Sequence, residues 1–310
     1  MMMPGLPTLL FTAALLAAGQ ATGPAPAADP ESETITITGE RFNRPQMRAR
    51  SYAYIRQTLA DTNNGQHARW FGSICPRVIG ARPETAAMFI DRIATAAAVL
   101  KVRVEPEGCR PNIAIWFTED AKALMHKIAD KSPRALDSTS MADQRRLLNG
   151  DDPVRWFYDT RSEGESGQTI GEGSAALGAQ LGSTNAPNSN NRASSTRMSA
   201  GSRVALIGAT VIIDVPRAEG QALEALAAQS VMLVFSRTRL AAKREASSSI
   251  LTLFSPRPPE TRPTDLSPVD EAFLVALYKT DPNQWASQQG ALIVNAMIDD
   301  LFKRRETGTP

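Results

Sequence analysis

Two histidines, His67 and His126, and two cysteines, Cys75 and Cys109, are the scarcest reactive side chains in this 310-residue chain. A serine or cysteine nucleophile generally needs a base, and that base is usually histidine. His126 falls on a predicted helix over residues 119–129, among Lys122, Lys127 and Lys131, and reads as a solvated position. His67 follows the polar loop Asn63-Asn64-Gly65-Gln66. Gly164-Glu165-Ser166-Gly167 has the form of a nucleophile loop, but it lies in a low-complexity stretch where such strings arise by chance. Ser-x-x-Lys is absent. So is H-E-x-x-H, and no two histidines stand at i, i+4. Asp151-Asp152 and Asp299-Asp300 read as a loop and a helix end. Phosphate-binding glycine motifs are missing too, and Gly171-Glu172-Gly173 sits in the same low-complexity stretch. The sequence therefore assigns no catalytic residue, no metal ligand and no cofactor.

The cysteines carry a different chemistry. Two is an even number, and neither has an adjacent base, so Cys75 and Cys109 are expected to form a disulfide. Closing that 34-residue loop would contribute about 3–4 kcal/mol on a chain-entropy argument. The N-terminus agrees with an oxidising destination. Residues 1–27 carry no charged side chain, and Leu9 to Ala18 is a ten-residue apolar run. A bilayer span needs about 20 such residues. The run suits a secretory signal peptide, with Ala25-Pro26-Ala27 as cleavage site and an earlier cut after Ala21 as the alternative. A periplasmic or secreted chain is expected, with no transmembrane segment after signal removal.

Bulk charge removes one class of partner. Lys and Arg number 34 against 32 Asp and Glu, so nucleic acid is not expected. Arg41, Arg44, Arg48 and Arg50 form a small basic cluster that suits a solvated segment or an anionic surface. Hydrophobic residues at 42% supply enough material for a core.

The elements that would position these groups follow from periodicity. Residues 28–50 read as a flexible N-terminal segment apart from the alternating run Thr34–Thr38. A short helix is predicted over 51–60 and a strand over 68–80, kinked at Pro76. Pro83 opens a helix whose Phe89, Ile93, Ala97 and Leu100 share one face. Val102 and Val104 alternate as a strand. Asn112 to Phe117 is an apolar central strand, and Thr118 is expected to cap the next helix. A helix from Ser140 to Asn149 precedes a strand over 154–160. Residues 162–202 read as a flexible insertion, because 23 of those 41 are Gly, Ser, Thr or Asn. Arg203 to Val215 is the returning strand, with a bend at Gly208. An amphipathic helix over 220–235 is predicted, then helices opening at Ser267-Pro268 and Asp281-Pro282. Trp285, Leu292, Ile293, Ala296, Met297 and Leu301 are expected inside. The sum is an α+β domain over 51–306, a mixed sheet flanked by helices with a helical C-terminal third.

Arg69-Trp70, Ile74-Cys75-Pro76-Arg77-Val78-Ile79-Gly80 and Gly108-Cys109-Arg110-Pro111-Asn112-Ile113 resemble a family of exported alphaproteobacterial proteins of unknown function. The element order, with Ser249-Ile250, Phe254, Leu266, Asp270, Leu274 and Leu277-Tyr278, is also similar to zincin-type zinc peptidases. That likeness implies a zincin-like fold. It does not carry the chemistry over. Where zincins place H-E-x-x-H this chain has Gln221-Ala222-Leu223-Glu224-Ala225-Leu226-Ala227, and Glu224 alone could not activate an unbound water comparably. The function expected is an exported, non-catalytic binding or scaffolding role toward an unknown envelope protein or ligand. An exported hydrolase or peptidase with an unrecognised carboxylate or metal site is the alternative.

Overall fold

The computed structural model describes residues 43–60, 66–164, 167, 169, 200–240 and 249–307. The expected signal peptide, the Thr34–Thr38 run, Arg41 and residues 170–199 of the expected insertion lie outside the described residues.

Four strands form one mixed sheet: β1 (Pro76–Ile79), β2 (Ile113–Thr118), β3 (Val154–Gly164) and β4 (Ser202–Asp214). Their spatial order is β1-β2-β4-β3. β1 with β2 and β2 with β4 run parallel, and β3 returns antiparallel along the edge of β4. β2 is central, as its unbroken apolar run predicts. Seven α-helices are described: α1 (Arg44–Thr58), α2 (Pro83–Leu100), α3 (Ala121–Lys131), α4 (Met141–Asn149), α5 (Leu223–Phe235), α6 (Pro268–Lys279) and α7 (Ala286–Thr307). The fold is α+β with a helical C-terminal third.

The sheet divides two cores. α2 and α5 cover one face. Phe89, Ile93, Ala97 and Leu100 of α2 are all buried there, and a side chain the size of Phe, Ile or Leu contributes about 1.5–3 kcal/mol when fully enclosed. The other face carries a smaller layer, with Ala121 and Met125 of α3, Leu136, and Leu147 of α4 over Phe157 and Ile212. Alternation along β3 sorts its side chains between the two. Trp156 and Tyr158 enter the large core, whereas Phe157 enters the small one.

Several boundaries differ from expectation. α1 begins at Arg44, inside the segment read as flexible, because Asn43 caps it in a reciprocal box with Gln46 and Pro45 occupies its first turn. The strand expected over 68–80 is confined to Pro76–Ile79, and Val104 makes only an isolated bridge to Ile74. α3 is capped by Asp120, whose side chain accepts from the amide of Ala123, and not by Thr118. Strand pairing continues to Gly164 and resumes at Ser202, so both ends of the expected insertion belong to the sheet. α5 is not amphipathic. Every residue from Ala225 to Phe235 is buried, since α2, α6 and the sheet enclose it. α7 starts at Ala286 rather than Asp281, where Asp281 closes a turn instead. Trp285 (39% exposed) and Leu292 (41%) face outward, while Ile293, Met297 and Leu301 are buried.

The expected bend in β4 is a bulge. Asp159 pairs with Gly208, but the next residue, Thr160, pairs with Leu206. Ile207 is the extra residue. Before it, Val204 and Leu206 enter the large core; after it, Ala209, Val211 and Ile213 do. The bulge therefore exchanges which parity of β4 faces the large core.

Candidate functional site

The residues that carry the sequence signature are structural fastenings. Cys75 and Cys109 are bonded, with Cα atoms 6.1 Å apart. Asn112 completes that fastening: its Oδ1 accepts from the Cys75 amide at 2.7 Å and its Nδ2 donates to the Ser73 carbonyl at 3.0 Å. Arg69 donates to the carbonyl of Leu277, and Trp70 Nε1 to that of Val234 at 2.8 Å. The Tyr278 hydroxyl accepts from the Trp70 amide and donates to the Phe235 carbonyl. The Arg69-Trp70 end of the signature is thus held to α5 and α6.

Asp270 closes the set. Its carboxylate is wholly buried and accepts five hydrogen bonds. Oδ1 takes the hydroxyls of Tyr54 (2.5 Å) and Ser249 (2.6 Å). Oδ2 takes the amides of Ile250 and Ser267 and the Ser267 hydroxyl, all at 2.9 Å. Both carboxylate oxygens are saturated by donors from three segments, which leaves no lone pair directed at a substrate.

The sequence's candidate chemistry does not converge. His126 is exposed on α3, and the His67 amide is held by Gln289 Oε1. Glu224 is exposed in the first turn of α5. Asp151 pairs with Arg217 (2.9 Å) and Lys122 (3.4 Å), and Asp152 with Arg146 (2.7 Å). Asp300 pairs with Arg304 and Asp299 with Arg44. The basic cluster docks α1 on α7, through Arg44 and through Arg48 to Asn295. Among the described residues, no group of three or more His, Cys, Asp or Glu could hold a metal ion.

The geometry instead gathers arginines along β3. At its start, a cleft of about 420 Å³ lies against Trp156, Phe157 and Tyr158. Arg56 from the end of α1 and Arg237 and Arg239 from the segment after α5 line it, with Ser138, Thr139 and Ser140 opposite. Thr238, buried between the two arginines, fixes them: its amide donates to the Tyr158 hydroxyl, and its carbonyl accepts from Trp156 Nε1. Arg237 donates to the Ser138 carbonyl (2.6 Å) and Arg239 to that of Leu59 (2.5 Å). Asp143 is the one carboxylate among the described lining residues, and Ser140 caps it. Three guanidinium groups with neighbouring hydroxyls make an oxyanion-binding lining.

Nearby, Arg155 is buried. It donates to the Gly150 carbonyl at 2.5 Å and lies 3.7 Å from Asp214, whose carboxylate also accepts from the amide of Ala121 at the start of α3. This ion pair ties β3, β4, α3 and α4 at one end of the sheet.

Sequence reasoning missed the arginines because it looked for bases, nucleophiles and metal ligands. Two signals were available: the alternation Arg237-Thr238-Arg239, and Arg161-Ser162-Glu163 at the end of a strand. The chain matches no protein-family model, no curated protein and no solved structure.

Proposed function

We propose that this is an exported, non-catalytic binding protein of the cell envelope, and that the cleft beside β3 takes an anionic ligand. One observation carries the reading: the cleft is lined by Arg56, Arg237 and Arg239 and by the hydroxyls of Ser138, Thr139 and Ser140, with Asp143 as the counter-charge among the described lining residues. Such a lining binds charge, and its one described carboxylate, Asp143, already accepts from the Ser140 hydroxyl. The Cys75–Cys109 bond supports an oxidising destination. No helix among the described residues is long and apolar enough to cross a membrane.

The test uses protein recovered from an oxidising compartment. N-terminal sequencing should give a start at Ala28 or Thr22, and bound zinc should lie below about a tenth of an equivalent. Citrate serves as the probe anion. It should bind at low ionic strength, and Arg56→Glu, an exposed charge reversal, should weaken it about tenfold or more. Undiminished citrate binding in that variant removes the cleft from the reading. One equivalent of zinc with peptide turnover would replace the reading by the hydrolase.

A further inference from the structure

The far end of β3 holds a second cluster of arginines, built differently. Glu163 is 5% exposed and bridges two guanidinium groups. Arg161 donates through Nε (3.2 Å) and Nη2 (2.6 Å) to Oε1. Arg203 donates through Nε (3.2 Å) and Nη2 (3.1 Å) to Oε2. Each fork engages one oxygen, so the carboxylate holds the two side chains next to each other. Arg203 also lies over the Phe71 ring, 4.0 Å from its centroid, and Arg69 lies 5.2 Å from the same ring. Arg69 is itself buried, and the charge of Arg203 adds to the burial that pulls its guanidinium down to about 10. Three positive groups therefore crowd one aromatic ring, and of the two that line the cleft, Arg161 and Arg203, Glu163 answers one charge. A cleft of about 420 Å³ opens onto it, lined by Arg161, Arg203, Phe71, Gly72 and Ser73.

The bulge at Ile207 makes this arrangement. On one side of it Gly208 stands opposite Asp159; on the other Ala205 stands opposite Arg161 and Arg203 opposite Glu163. With unbroken alternation Arg203 would share the parity of Ala209, Val211 and Ile213, which enter the large core. The extra residue turns it out onto the face of Arg161 and Glu163, and re-aiming a side chain is what bulges do beside sites.

We infer that Arg161 and Arg203, held by Glu163 against Phe71, form a second anion site for an oxyanion of the phosphate type. A phosphate group offers more acceptor oxygens than a monocarboxylate and can accept from two guanidinium groups at once. The site is separate from the cleft at the start of β3: the two share no lining residue, and even from Tyr158 to Arg161 the strand covers about 10 Å, at about 3.3 Å per residue.

Calorimetric titration of the disulfide-intact protein with inorganic phosphate at pH 7.5 and low ionic strength tests this. One site is expected, at about 1 mM or tighter, with acetate at least about tenfold weaker. Arg203→Leu should weaken phosphate about tenfold or more, and Arg203→Lys should recover little, because the fork is lost. Should Arg203→Leu lose its far-UV spectrum, Arg161→Gln decides, since that side chain is 42% exposed. No phosphate heat up to about 20 mM, or affinity unchanged in Arg161→Gln, overturns the inference. Arg56→Glu should leave phosphate affinity within about twofold. Its loss in that variant would put phosphate in the first cleft and overturn the second site while leaving the first intact.

Discussion

Replacing Asp270 should separate two kinds of loss that a count of hydrogen bonds would merge. Its carboxylate accepts from three hydroxyls and two backbone amides. Hydroxyls can rotate, and Ser267 Oγ already has the Asp270 amide as a donor. The amides of Ile250 and Ser267 cannot turn away. Asp270→Ala leaves both buried without an acceptor, at about 1–3 kcal/mol each, while the Tyr54 hydroxyl still has Ser249 and Thr58 beside it. The expected loss is about 4 kcal/mol, a large part of a typical domain's stability. Asp270→Asn should behave otherwise. Its amide oxygen can face the two backbone amides while its NH2 faces the hydroxyls of Tyr54 and Ser249, which can accept. Only charge assistance is lost, about 1–2 kcal/mol. Urea unfolding of disulfide-intact protein, followed by tryptophan fluorescence and far-UV circular dichroism with coincident transitions, measures both. A loss below about 1 kcal/mol for Asp270→Ala, or equal losses for the two variants, would refute the reasoning.

Three further outcomes follow from the same structure. Gly80 has φ +82, and a Cβ there would stand 2.1 Å from the Phe117 carbonyl oxygen, whereas Gly220 has φ +79 and nothing within 4 Å. Gly220→Ala should cost about 1–2 kcal/mol from backbone strain alone, and Gly80→Ala clearly more by urea midpoint, because the β1–β2 pair must open as well. The double variant Cys75→Ser/Cys109→Ser should lose about 3–4 kcal/mol, read as a lowered melting temperature that a reductant reproduces in the parent protein and leaves unchanged in the variant. Burial pushes the Tyr54 hydroxyl well above its ordinary 10.0, and the neighbouring Asp270 charge and hydrogen bond push it further. Its folded value is raised, so the unfolded chain gives up this proton first as pH climbs past 10, and the stability it contributes is present below pH 10 and lost above it. The parent should therefore lose about 1.4 kcal/mol per pH unit more than Tyr54→Phe between pH 10 and 12, in urea midpoints taken across that range. Parallel curves would sink that assignment.

The elements that local pattern controls were legible. α2 begins at Pro83 and buries the residues its spacing marks; α4 runs from Met141 to Asn149 with Ser140 as cap; α6 opens at Ser267-Pro268 with Asp270 in a capping box. Boundaries set by neighbours were not. The start of α7 moved to Ala286 because Gln66 and Gln289 bond the carbonyls of Pro282 and Gln284 and hold that turn out of the helix. Trp285 and Leu292 were placed inside on apolar character alone, and single exposed apolar residues are common. α5 read as amphipathic on the spacing of Leu223, Leu226, Ala227, Ser230, Val231 and Val234, but the residues between them, among them Ala228, Met232, Leu233 and Phe235, are apolar too, and α2, α6 and the sheet close on all of its sides.

That burial of α5 also bears on the peptidase reading. Two histidines a turn apart, at i and i+4, need a helix face open to a cleft. The helix starts at Leu223, so Gln221 stands outside it. Of the positions that remain, Leu223 is 40% exposed, but Ala227, one turn on, is 2% exposed and packed in the large core. An imidazole at Ala227 would overfill a closed interior, and its ring nitrogens would meet apolar neighbours. At Ala227, the second of those positions, the volume is already used to pack the sheet. The arginine clusters lie along β3. Trp156 and Tyr158 anchor that strand in the core; Arg56, Arg237 and Arg239 reach its start from α1 and from the segment after α5, and Arg161 and Arg203 stand at its far end. The strand thus gives both clefts a rigid wall, and an anion bound at either would meet guanidinium groups, those of Arg237 and Arg239 or of Arg161 and Arg203, already held in place before it arrived.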